Sequence, residues 1–175
     1  MRLSDQPLIS AEAIQARVQE LGAQINCDYA GRELMVIVVL KGGLLFAADL
    51  LRTIRVPLSL EYIRAKSYDG DHSQGSVELR VLPEQPLSGK HVLFVEDILD
   101  TGRTTAAIME TAKDSGAASI RLCVLLDKPS HRTAPVHADY VGFTIDDHFV
   151  VGYGLDFNEH HRELPAIHVM ENSSQ

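Results

Sequence analysis

Apolar positions along this chain change their rhythm several times, and each change marks an element. From Ser10 onward, Ile14, Val18, Leu21 and Ile25 recur three or four residues apart, which predicts one apolar stripe of an amphipathic helix. Ser10 is placed to cap that helix, and Glu12 in the first turn suits the positive end of its dipole. The run LMVIVVL (34–40) is β-branched and shows no alternation, as expected for a strand buried on both faces. Lys41-Gly42-Gly43 breaks it, and LLFAADLLRTI (44–54) predicts the helix that follows. A strand is expected over 57–66. The polar stretch SYDGDHSQG (67–75) has nothing to bury and predicts a long mobile loop of the kind that serves as a lid. Val77, Leu79 and Val81 then share one face of a strand expected over 77–82.

The second half brings two more buried strands, HVLFV (91–95) and IRLCVLL (120–126), with a helix over about 103–115 between them, closed by Gly116. Strand, helix and strand in this order predict right-handed crossovers and an α/β fold, a mainly parallel twisted sheet flanked by helices. Beyond Pro135 the segments shorten to 140–143, 149–152 and 167–170. These are expected to form a small hood subdomain, built mainly from about 135–175 with the N-terminal segment, inside one domain spanning 1–175.

Composition narrows the partners. With 45% apolar and 23% charged residues among 175, the chain reads as a soluble globular protein. A net charge of −8 argues against a surface that neutralises a nucleic-acid backbone. A small anion remains compatible, held by local N–H groups, with a divalent cation to offset nearby acids. Cys27 and Cys123 form no metal or redox spacing, so free thiols in a reducing compartment are expected. Residues 1–7 carry no secretory pattern. The apolar run 34–40 falls far short of the roughly 20 residues that span a bilayer. The expected location is the cytoplasm, away from membranes.

The candidate chemistry lies in VEDILDTGRTT (95–105), directly after a buried strand and opening a helix. Ligands of open α/β sheets bind beyond the carboxyl ends of the strands. Asp100-Thr101-Gly102-Arg103-Thr104 offers backbone N–H groups, two hydroxyls and a helix N-terminus to one anion, a suitable cradle for a phosphate monoester. No G-x-x-x-x-G-K-[ST] occurs, so nucleoside triphosphate hydrolysis has no support, and no G-x-G-x-x-G follows a strand. Glu96 and Asp97, adjacent acids at a strand end, can accept both hydroxyl protons of a vicinal diol such as ribose; Asp100 adds a third acid.

VEDILDTGRTT resembles the phosphoribosyl-pyrophosphate signature of the type I phosphoribosyltransferases. Other segments are similar to the hypoxanthine-guanine branch: LKGG (40–43) to its first pyrophosphate loop, Ser67-Tyr68 to the start of its catalytic loop, LLDKPSHR (125–132) to its purine-site strand, and FVVGYGLDFNEHHR (149–162) to its hood and tail. The resemblance runs in order from about Leu34 to Arg162. It implies a purine-salvage transferase that moves the 5-phosphoribosyl group from phosphoribosyl pyrophosphate to hypoxanthine or guanine, giving IMP or GMP and pyrophosphate. It also implies the roles. Asp100 would be general base and acid at N7 of the purine. Glu96 and Asp97 would hold the ribose hydroxyls and, with Asp156, Mg²⁺. Thr101, Gly102, Arg103 and Thr104 would bind the 5′-phosphate. Lys41 and Gly42 (through backbone donors), Ser67, Tyr68 and Arg162 would bind pyrophosphate. Lys128 would donate to O6, Phe149 would stack on the base, and the Val150 backbone would read the ring edge.

Relatives carry a cis peptide before the lysine matched by Lys41, and aromatics are common where this chain has His160-His161. Two other readings stay open at this point: a uracil phosphoribosyltransferase doubling as an RNA-binding attenuator, and a non-catalytic regulator that binds phosphoribosyl pyrophosphate. A homodimer or homotetramer is expected, and the choice among hypoxanthine, guanine and xanthine is not legible.

Overall fold

The computed structural model describes residues 2–67, 77–81, 83 and 85–171. Its elements, in chain order, are β1 (Arg2–Leu3), α1 (Ala11–Asp28), β2 (Leu34–Leu40), α2 (Gly43–Thr53), β3 (Leu58–Ser67), β4 (Val77–Val81), β5 (His91–Leu99), α3 (Arg103–Asp114), β6 (Ser119–Asp127), β7 (Tyr140–Thr144), β8 (Val150–Val151) and β9 (His168–Glu171). The expected loop over 67–75 lies outside the described residues except for Ser67, and Tyr68 lies outside them as well.

Six strands form one sheet in the order β4-β3-β2-β5-β6-β7. The five from β3 to β7 are parallel, and β4 turns back antiparallel on β3. Both faces are covered, which is why β2 reads as a continuous apolar run: alternate residues serve opposite cores. Val36 and Val38 join α1 and α2, through Ile14, Leu21, Phe46 and Leu50. Met35, Ile37 and Val39 join Ile108 and Ala112 of α3. Ser10 caps α1 as expected, its hydroxyl oxygen accepting from Ala13 N at 3.2 Å. The two helices on that face meet closely at Gly22, where a Cβ would stand 1.8 Å from Thr53 Oγ1.

Two expectations are corrected. Residues 140–144 are not part of the hood; as β7 they pair parallel with β6, Cys123 opposite Tyr140, and extend the large sheet. A short apolar segment does not declare its sheet; here Gly142 decides, because a Cβ would come within 2.3 Å of Leu125 O across the strand pair. The strand expected over 91–95 also continues to Leu99, so Glu96 and Asp97 lie within it rather than after it. Backbone pairing with β6, Glu96 opposite Val124 and Leu99 opposite Asp127, outweighs the unfavourable side chains.

A second, three-stranded sheet has the order β1-β9-β8. Arg2 pairs with Glu171 across it, and Ile9 bridges Ile167, so both ends of the chain contribute. No helix among the described residues is long and apolar enough to cross a membrane.

The segment after β8 touches the loop after β2 backbone to backbone. Gly154 has φ +106°, and a Cβ there would lie 2.1 Å from Gly42 O. Gly154→Ala should therefore cost roughly 1–3 kcal/mol. At about 2–4 °C per kcal/mol for a chain of this size, the melting temperature should fall by several degrees in calorimetry; an unchanged value would contradict this packing.

Candidate active site

From the centre of the sheet, the chain leaves β2 toward β3 on one side and leaves β5 toward β6 on the other. Such a divergence opens a crevice at the carboxyl ends of the strands. The 41–43 loop after β2 and the 100–102 turn after β5 therefore line opposite sides of one cleft. The Leu40–Lys41 peptide is cis. Gly42 is pressed against Asp97, and a Cβ there would stand 1.7 Å from its Oδ2.

Strand alternation sends the adjacent acids in opposite directions. Glu96 follows Val92 and Phe94 toward α3, where its Oε2 accepts from Thr105 Oγ1 at 2.8 Å. Asp97 follows Leu93 and Val95 toward the α2 side and Gly42. Burial first, then the charge of Asp97, pushes the Glu96 carboxyl up to about 8, against the Thr105 hydrogen bond. Burial also lifts Asp97 to about 6; backbone N–H bonds and Arg162 hold it down, while Asp156 adds to the rise.

The turn after β5 is an anion cradle in form. Gly102 caps α3 with φ +77°, a left-handed conformation, and stands so close to Arg132 and Val136 that a Cβ would lie 2.5 Å from Val136 Cγ1. Arg132 braces the turn from below. Its guanidinium donates to Asp100 O at 2.9 Å, Leu99 O at 2.9 Å and Val136 O at 2.7 Å, and pairs with Asp127. Thr133 N and Ala134 N donate to Thr101 O, and Arg103 Nε donates to Thr133 Oγ1 at 3.3 Å. Gly102 offers no side-chain cap, and Arg103 N donates only a long bond, 3.5 Å, to Thr101 Oγ1, which leaves the positive end of α3 largely to the cleft.

Lys128 ends β6 beside this turn, its backbone N donating to Leu99 O at 3.0 Å. The residue is 6% exposed, and the ammonium donates to His148 O at 3.2 Å and pairs with Asp147 Oδ1 at 2.7 Å. Phe149 is 49% exposed, with its edge against Phe157 at 5.7 Å between ring centroids. Val150 is buried in β8.

On the far side of the cleft, Arg162 Nη2 pairs with Asp156 Oδ1 at 2.7 Å and Glu159 Oε2 at 3.2 Å, and Nη1 donates to Gly154 O at 2.6 Å. Its Nε is buried with no hydrogen-bond partner among the described residues, a donor suited to an anion. Glu159 also holds Lys41 Nζ at 3.0 Å. A tight turn makes this meeting possible: Phe157 and His160 bond each other across Asn158 and Glu159, both at positive φ. The rings of His160 and His161 meet edge to face at 6.5 Å, and no three metal-ligating side chains converge among the described residues.

Contacts join Lys41, Gly42, Asp97, Asp156 and Arg162 on one side, and Asp100, Thr101, Gly102, Arg103 and Lys128 on the other. Thr104 follows Arg103 in α3, Glu96 turns to Thr105, and Phe149 and Val150 follow His148, whose carbonyl Lys128 holds. Ser67 ends β3, the strand beside β2; Tyr68 is not described. Four residues were missed from sequence: Thr105, His131, Asp147 and Glu159. Thr105 could have been found from its helical offset behind the Thr-Gly turn. His131 and Asp147 meet across 16 residues with no local signal.

A family model for the phosphoribosyl transferase domain matches residues 8–158. Hypoxanthine-guanine phosphoribosyltransferases of Streptococcus pneumoniae and Bacillus subtilis are 41% and 42% identical to this chain, each over 94% of it and 92% of the relative. A crystal structure of a hypoxanthine-guanine phosphoribosyltransferase from Bacillus anthracis superposes with a TM-score of 0.92 at 40% identity, over 97% of this chain and 100% of that one.

The raised pKa of Glu96 carries a stability signature. Between about pH 4.5 and 8 the unfolded chain releases this proton while the folded chain keeps it, so wild-type stability falls as pH rises through that window. Glu96→Gln keeps the shape without the titration. Relative to wild type it should gain on the order of 2–4 kcal/mol at pH 8 and almost nothing at pH 4, read from thermal melts without divalent cations. A difference that does not vary with pH would contradict the burial of this carboxyl.

Proposed function

The chain belongs to the phosphoribosyltransferase family, in its hypoxanthine-guanine branch, and on that premise we propose how its residues transfer the 5-phosphoribosyl group from phosphoribosyl pyrophosphate to hypoxanthine or guanine. The observation that carries the assignment is the 3.0 Å bond from the backbone N of Lys128 to Leu99 O, which fastens the residue that bears a buried ammonium to the turn of Asp100. In a 6-oxopurine, O6 and N7 lie on the same edge. Lys128 grips O6, and Asp100 takes the proton from N7 as N9 attacks C1′. The C1′–oxygen bond breaks, and its electron pair leaves with pyrophosphate. A positioned base of this kind is worth about 10²–10⁴ in rate.

The α3 turn, Thr101–Thr104, holds the 5′-phosphate, and Arg162 with the Lys41 and Gly42 backbone holds pyrophosphate; Ser67 and Tyr68 join them in this reading. Glu96 and Asp97 receive the ribose hydroxyls in this reading, and the negative charge of Asp97 favours the oxocarbenium-like transition state. Phe149 offers its exposed face to the base, and the Val150 backbone reads its edge. Asp97 and Asp156 would supply hard carboxylate oxygens to Mg²⁺, and the charge of Asp156 already raises Asp97; Glu96, turned to Thr105 on the α3 face, does not join them in this arrangement. When bound, the ion would offset the charge that leaves with pyrophosphate. Substrate oxygens and water would complete its shell.

We place the enzyme in the cytoplasm, as a homodimer or homotetramer. Leu44 and Leu45 on α2 and Leu60 and Tyr62 on β3, all exposed, support contact with a second copy. Neither a uracil-specific attenuator nor a non-catalytic regulator is favoured, since Asp100 and Lys128 stand together in the cleft and the relatives compared are hypoxanthine-guanine enzymes.

A base panel tests the purine assignment. Hypoxanthine and guanine should be converted and adenine should not, because the amino group of adenine meets the Lys128 ammonium as a second donor. Lys128→Ala should weaken IMP binding by about tenfold or more, with phosphoribosyl pyrophosphate affinity within twofold. Comparable turnover of adenine would contradict the assignment. For the metal, excess chelator should abolish turnover, and Mg²⁺ or Mn²⁺ should restore it; full activity in chelator would rule that part out.

A further inference from the structure

Resting on the transferase reading above, we propose that His131 is a positioning residue which, together with Asp147, couples the purine-gripping Lys128 to the base Asp100 at a fixed spacing. His131 closes a single 3-10 turn, Pro129–His131, directly after Lys128. Its backbone N returns to Lys128 O at 3.4 Å, which folds the imidazole back over the cleft. From there Nδ1 lies 3.2 Å from Asp100 Oδ1, and Nε2 lies 2.8 Å from Asp147 Oδ2. The other oxygen of Asp147 is 2.7 Å from Lys128 Nζ. Carboxylate, imidazole, carboxylate and ammonium thus stand in one line from the proton acceptor to the O6 donor.

Two unfilled valences show what the line is for. Asp100 Oδ1 is buried and has no hydrogen-bond partner among the described residues. The imidazole nitrogen beside it is at ion-pair distance and off the line of a hydrogen bond, so a small ring rotation supplies the missing donor. Lys128 has three N–H groups; His148 O and Asp147 Oδ1 take two, which leaves the third for an acceptor such as O6. Asp147 therefore sets the aim of the purine donor, and His131 sets Asp147 against Asp100. The carboxyl of Asp147 is held below the usual carboxylate range, first by the Lys128 bond and also by His131. An imidazole with protons on both nitrogens can donate to both carboxylates, whereas the neutral ring serves one.

A steady-state comparison of wild type, His131→Ala, His131→Arg, Asp147→Asn and the double variant tests the coupling, with thermal melts to verify folding. His131→Ala should lower kcat for hypoxanthine about tenfold or more, while KM for phosphoribosyl pyrophosphate stays within twofold. His131→Arg, whose guanidinium can donate to both acids, should recover kcat to within about threefold of wild type. The losses of His131→Ala and Asp147→Asn should be clearly less than additive, as for residues acting as one unit. A His131→Ala kcat within twofold of wild type, additive losses, or an equal loss in His131→Arg would overturn the coupling. Wild-type turnover separates the two ideas: its absence overturns the transferase reading and the coupling with it, whereas normal wild-type turnover beside any of those outcomes overturns the coupling alone.

Discussion

The site depends on a divergence of the backbone at the middle of the sheet. Because β2 leads to one side and β5 to the other, their carboxyl ends part, and the cleft between them must be lined at close quarters. Little room is left for side chains there. Gly42 fits against Asp97, Gly43 against the carbonyl of Val95, and Gly154 against the carbonyl of Gly42. The loop after β2, the acidic end of β5 and the segment after β8 are thereby locked to one another by backbone contact. Backbone N–H groups set in this way can act on an anion without reorganising, which is the economical way to hold phosphate on an acidic chain.

Charge is distributed along the cleft in a matching order. At one end Arg162 and Lys41 are tied by Glu159 and Asp156; at the other Lys128 is tied by Asp147. Glu96 and Asp97 lie between them, both carboxyls pushed above the ordinary carboxylate range, first by burial. Buried carboxylates in an interior with little water are costly without partners. A ribose whose hydroxyls donate to them, flanked by two groups of cations, meets that need. The charges of Asp97 and Asp156, which act on each other, make a divalent cation a natural companion of the pyrophosphate.

Much of this was legible in the sequence, and the exceptions have physical reasons. The buried strands 34–40 and 120–126 announced themselves because a strand covered on both faces needs unbroken apolar residues. Asp100 and the Thr-Gly turn could be read because their function is local, held within a few consecutive residues. The continuation of β5 through Glu96 and Asp97 could not, since pairing with β6 decides it and side-chain preference points the other way. Nor could the sheet of β7, which a five-residue segment cannot specify. His131 and Asp147 escaped for the same reason: their meaning lies in a contact across 16 residues, and each alone reads as a solvated polar side chain.

The central claim is that Asp100 moves the purine proton while the surrounding cradle binds the phosphates. Asp100→Asn, which retains shape and removes the base, isolates that role. Measured together, its kcat for hypoxanthine should fall at least about a hundredfold while phosphoribosyl pyrophosphate binds within threefold of wild type by calorimetry. A kcat within threefold of wild type would contradict the account.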